Sequence, residues 1–90
     1  MRIAYSVLIF REGDAYVAYA PQLDVSSCGD SAEEAQRMLQ EAAGLFLEEA
    51  QRLGALEDIL AEAGYSSVEA GELRAPELIA TSEATVEVAG

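Results

Sequence analysis

Residues 25–35 read VSSCGDSAEEA: a short β-branched run, a Gly-Asp-Ser turn and the opening of a long amphipathic segment. This junction constrains the fold because extended structure must stop and helix must begin within a few residues. Ser31 followed by Glu34 fits the capping box, in which each side chain bonds the other residue's backbone N–H. Asp30, Glu33 and Glu34 also place negative charge at the positive end of the helix dipole. Downstream, Ala35, Met38, Leu39, Ala42, Leu45, Phe46, Ala50 and Leu53 recur at three- and four-residue spacing. The spacing predicts one buried stripe over about six turns. Gly44 interrupts it, at roughly 1 kcal/mol against alanine unless the backbone must pass close to something. Gly54 is placed to be the left-handed stop.

The segment before this junction reads as strands. Residues 3–10, IAYSVLIF, are apolar on both faces, which predicts a strand inside a sheet. Arg11 to Asp14 form a turn, where Gly13 can take a positive φ. AYVAYA at 15–20 reads as the returning strand of a β-hairpin, weakened after Pro21, which cannot donate to a ladder. VSSC at 25–28 completes a three-stranded meander. After the long helix, ALEDILAEAG at 55–64 carries Leu56, Ile59, Leu60 and Ala63 on one face and predicts a short second helix ended by Gly64. Ala75-Pro76 disfavours helix there. Within LIATSEATVEVA at 78–89, Val86 and Val88 alternate with Thr85 and Glu87, which predicts a closing strand. The expected fold is therefore α+β, a βββααβ sandwich with a mostly antiparallel sheet packed on a helical layer. A chain of 90 residues is one domain. Its uncovered sheet face, with Tyr5, Tyr16 and Tyr19, predicts an apolar patch and self-association into a homo-oligomer.

Charge narrows the function. Seventeen acidic residues face five arginines, with no lysine and no histidine, for a net charge of −12. Phosphate recognition needs clustered positive charge, so direct nucleic-acid binding is not expected. An acidic surface suits a basic protein partner. The acids Glu33, Glu34, Glu41, Glu48 and Glu49 fall largely away from the apolar stripe, either as a partner-facing surface or as a solvated helix face. Without histidine there is no Ser-His-Asp or Cys-His pair and no zinc site of the usual Cys/His type. Asp14, Asp24 and Asp30 could in principle gather around a divalent metal, but all three sit where turns and caps favour aspartate. No cofactor, metal or catalytic group is expected. Cys28 reads as a small buried hydrophobe, since Asp30 and Glu33 oppose a thiolate beside it. No apolar run approaches the roughly 18 residues of a membrane span, the start MRIAYSVLIF is too short for a signal peptide, and a lone cysteine agrees with a reducing compartment. The expected location is cytoplasmic.

DAYVAYAPQLDVSSCGDSAEEAQ followed by EAAGLFLEEA resembles the N-terminal domain of the HicB family of antitoxins. The family motif is close to "dgyvAyvPdLdvsSqGdTleEAl", and the matching positions are Tyr16, Val17, Ala18, Pro21, Leu23, Gly29, Asp30, Ser31, Glu34 and Ala35. GALEDILAEAGY and APELIATSEATVEVA also look like the ending of a single-domain branch, so the resemblance spans nearly the whole chain. It implies a sandwich similar to a reduced ribonuclease H fold. It also implies binding to HicA-type toxins, small basic mRNA-cleaving proteins with a double-stranded-RNA-binding-like fold and a catalytic histidine. Many members carry LPGC before the Gly-Asp turn, where this chain has LDVSSC. Members that repress their own operon append a ribbon-helix-helix or helix-turn-helix domain; residues 1–90 contain no basic segment of that kind, so no appended DNA-binding domain is expected.

Overall fold

The computed structural model describes residues 1–69 and 71–90, with the side chains of 67–69 excepted. Eight elements follow in order: β1 (Arg2–Ile3), β2 (Leu8–Glu12), β3 (Ala15–Ala20), β4 (Val25–Gly29), α1 (Ala32–Arg52), α2 (Leu56–Glu62), β5 (Ser66–Glu69) and β6 (Glu72–Arg74). The meander is present: β2, β3 and β4 form an antiparallel sheet in that spatial order. Gly13 turns the hairpin with φ 62°, and Asp24 makes the next turn at φ 54°, in the left-handed region that aspartate tolerates. Tyr19 donates its hydroxyl to Asp24 Oδ1 at 2.9 Å across that turn. This bond, above all, raises the Tyr19 hydroxyl pKa above its ordinary value.

Three expectations about the strands need correction. Residues 3–10 are not one continuous strand, because residues 4–7 leave the ladder between β1 and β2. Their polar groups find other partners: Gln22 accepts from the Ser6 N–H at 3.0 Å and donates to Ser6 Oγ at 2.8 Å. The Ala4 N–H donates to the Leu73 carbonyl. The N-terminal run thus serves two sheets, and β2 is an edge strand with β3 at the centre. The predicted closing strand at 78–89 is absent; residues 75–90 lie outside any strand, and 76–90 are exposed. The second sheet comes instead from the unremarkable SSVE and ELR, in the order β1-β6-β5, with β6 parallel to β1 and antiparallel to β5. Tyr65 fastens this sheet to the body by donating its hydroxyl to the Ala4 carbonyl at 2.6 Å.

Helix α1 runs 21 residues from the cap at Ser31. At Gly54, with φ 75°, the Ala55 N–H bonds the Ala50 carbonyl and the Gly54 N–H bonds the Gln51 carbonyl, the Schellman pattern. Helix α2 buries Leu56 and Leu60 and half-buries Ile59 and Ala63, as its periodicity predicts. The core comprises Ala18, Ala20, Leu23, Ala35, Leu39, Ala43, Ala50, Leu56 and Leu60. Five of the nine are alanines, so α1 lies close on the sheet and Leu39 is the one large side chain wholly enclosed. The buried stripe of α1 is Ala35, Leu39, Ala43 and Ala50. Met38, Leu45 and Leu53, expected within it, are exposed. A stripe that drifts with the 3.6-residue period passes through 39, 43 and 50, and leaves 38 and 45 about a third of a turn away on its flank.

Candidate functional site

The candidate surface begins at the β4–α1 junction. Ser31 Oγ accepts from the Glu34 N–H at 3.1 Å. Glu34 Oε1 reaches back, but accepts from the Asp30 N–H at 2.9 Å and not from Ser31. Gly29 is required here for closeness. A β-carbon on Gly29 would stand 2.7 Å from the Ala35 backbone nitrogen and 2.8 Å from Glu34 Cγ. The signature residues Gly29, Asp30, Ser31 and Glu34 therefore form one structural joint that sets the direction in which α1 leaves the sheet. Pro21 opens the β3–β4 turn and is half-buried.

From this joint α1 presents its outer face. Glu34, Glu41 and Glu48 are seven residues apart in turn and share one stripe, about 21 Å long at 1.5 Å per residue. Glu33 borders it. Met38 and Leu45 run alongside at the same spacing, Leu45 being 68% exposed. The five glutamates are not equivalent. Glu34 is engaged in the cap and lies 3.9 Å from Arg37. Glu49 accepts from Arg52 Nε at 3.0 Å, with a second contact from Arg52 Nη2. Glu33, Glu41 and Glu48 are exposed and have no ion-pair partner among the described residues. Sequence reasoning found the carboxylates but missed Met38 and Leu45, which it assigned to the core. Their heptad spacing with the glutamates was the available signal.

Cys28 is exposed, contrary to the expectation that it is buried. It pairs with Val17, which pairs with Phe10, on the sheet face turned away from α1. The tyrosine patch is also rearranged. Tyr5 and Tyr16 pack against the core, while Tyr19 stays on the outer face with Phe10, which is 51% exposed. Asp14, Asp24 and Asp30 occupy separate turns, and no group of three or more Cys, Asp or Glu side chains among the described residues is placed to hold a metal ion. A cleft of about 510 Å³ opens between α1 and the N-terminal residues, lined by Ile3, Tyr5, Gly44, Leu47, Glu48 and Gln51 among others. Glu48 is the one carboxylate on its wall. In the second sheet Glu72 lies between Arg2 at 2.9 Å and Arg74 at 2.7 Å. The hydrogen bond from Arg2, with the charge of Arg74, holds its carboxyl below the usual range. No helix among the described residues is long and apolar enough to cross a membrane. No protein-family model, no curated protein and no solved structure matches the chain.

Proposed function

We propose that this chain is a non-catalytic, HicB-like antitoxin domain of the cytoplasm that binds and masks a small basic HicA-type mRNA-cleaving toxin. The observation that carries this reading is the outer face of α1. Glu41 and Glu48 stand there beside the exposed apolar pair Met38 and Leu45, and neither they nor Glu33, further round the helix, has a cationic partner among the described residues. Carboxylates in this arrangement attract a basic surface over a distance, and an adjoining apolar strip gives that partner something to bury once it arrives. The resemblance at the β4–α1 junction adds its weight, since the matched residues Gly29, Asp30, Ser31 and Glu34 build the joint that aims this helix. Masking would be steric and electrostatic: the acidic face covers the cationic surface with which such a toxin grips RNA. The domain itself contributes no nucleic-acid contact, no cofactor and no bond chemistry.

The test is association with a purified HicA-type toxin at increasing salt. Glu41→Lys combined with Glu48→Lys should slow association about tenfold or more and reduce its salt dependence, with dissociation changed less. Leu45→Asp should act mainly on dissociation. Unchanged association of the doubly reversed variant would remove the outer face of α1 from the interface and this mechanism with it.

A further inference from the structure

We propose that two copies of this chain exchange their C-terminal segments, residues 84–88 of each adding as a strand to the free edge of β2 in the other. This inference is independent of the antitoxin reading and uses a different surface. Strand β2 pairs only with β3, so its other edge lies open among the described residues. It is five residues long and has no proline, and Ile9 and Phe10 on it are exposed. An open edge of this kind is a template for another strand. Helix α1 covers β4 and β3 and barely reaches β2, which leaves Ile9 40% exposed even on the helix side.

The same chain holds a strand-forming segment that pairs with nothing among the described residues. Thr85-Val86-Glu87-Val88 alternates as a strand does, yet Val86 and Val88 are 85% and 87% exposed. The body of the chain ends near Pro76, which lies beside Gly64. From Ile79 onward every residue is exposed. The radius of gyration is 15.4 Å, against about 12 Å for a compact chain of this length, and the long axis reaches 48 Å. Twelve extended residues from 78 to 89 reach about 40 Å, enough to lie across a neighbour.

Charge supplies the register. Arg11, on β2, is the one arginine among the described residues without an ion-pair partner, in a chain rich in acids. Glu87 sits between the two valines. Setting Glu87 opposite Arg11 places Val86 and Val88 on the sheet face that carries Leu8, Phe10, Val17 and Tyr19, whichever way the added strand runs. One valine then lies opposite Phe10 and the other opposite Glu12, while the opposite charges of Glu87 and Arg11 meet. With the tail, the β2 edge and this outer face, each copy contributes about 20 residues, the lower bound of a stable interface. A two-fold arrangement closes because each copy both gives and receives a segment.

Sedimentation of the full chain across a wide concentration range, alone and as variants, is the test. The wild type is expected to be a dimer. Val86→Asp with Val88→Asp should raise its dissociation constant at least tenfold, while leaving the circular dichroism melt of the body intact. Arg11→Glu and Glu87→Arg should each weaken the dimer by roughly tenfold, counting both symmetric pairs, and their combination should restore most of it. Two chains of charge −12 repel, so added salt should tighten this dimer, the reverse of its effect on a complex with a basic toxin. A monomer at all concentrations, a dimer indifferent to the paired valine substitutions, or reversals whose combination does not restore association would each overturn the proposal.

Discussion

Gly29→Ala is the sharpest probe of the joint between sheet and helix. The new methyl group would lie 2.7 Å from the Ala35 nitrogen and 2.8 and 2.9 Å from Glu34 Cγ and Cβ. The Glu34 side chain could retreat only by giving up its bond to the Asp30 N–H. The Ala35 nitrogen belongs to the backbone of the first turn and donates to the Ser31 carbonyl, so its retreat shifts the whole start of α1. Forcing a methyl into such a contact costs about 1–3 kcal/mol. Stiffening the unfolded chain returns about 0.4–1 kcal/mol, so the net loss should be about 1–2 kcal/mol. In a domain of this size that lowers Tm by roughly 5–15 °C. Gly44→Ala is the matched control, because a methyl group there would meet nothing within 4 Å and an interior helical glycine is worth about 0.5–1 kcal/mol less than alanine. Equilibrium urea unfolding followed by far-ultraviolet circular dichroism should therefore move the two variants in opposite directions. A Gly29→Ala protein as stable as the wild type would refute the idea that close approach is what requires glycine at this position.

Leu39→Ala empties the one large, fully enclosed core site and should cost about 2–5 kcal/mol; Leu45→Ala, on the exposed face, should leave the urea midpoint nearly unchanged, and equal losses would place the helix stripe wrongly. Glu72 has its folded pKa lowered by Arg2 and Arg74, so its contribution to stability is present above the usual carboxylate range and disappears as pH falls through the folded value. Glu72→Gln should accordingly flatten the acid limb of a stability-against-pH curve, and an unaltered limb would show that the two arginines do not stabilise the charged form.

The proposed partner surface and the proposed self-association surface do not overlap. The first is the outer side of α1, and the second is the β2 edge with the C-terminal segment. A dimer formed by strand exchange would leave both α1 faces open, so one dimer could engage two basic partners. Opposite salt responses would separate the two equilibria in a single series of measurements.

Much of this architecture was legible in local chemistry. The Gly13 turn, the Ser31–Glu34 cap, the Gly54 stop and the β-branched runs of the meander depend on residues a few positions apart, and they lie where propensity and turn chemistry put them. The acidic face of α1 was legible for the same reason, since helical period assigns faces without knowing what the helix packs on. Local chemistry could not decide which competing apolar stripe would be buried. Met38, Leu45 and Leu53 fit the three-and-four spacing as well as Ala43 and Leu47 do, and the alanines at 18 and 20 on β3 select small residues on the facing helix side. Nor could it choose the strand partners. TVEV has the stronger β pattern, but ELR pairs with β1 because the chain, held at Tyr65 by the Ala4 carbonyl, passes the N-terminus there. Residue order alone was enough for the elements, their caps and the sign of the surface, all set by interactions within about one helical turn. Which face is core, which strand is edge and which segment stands unpaired emerged only on folding, because those depend on what distant parts of the chain bring into contact.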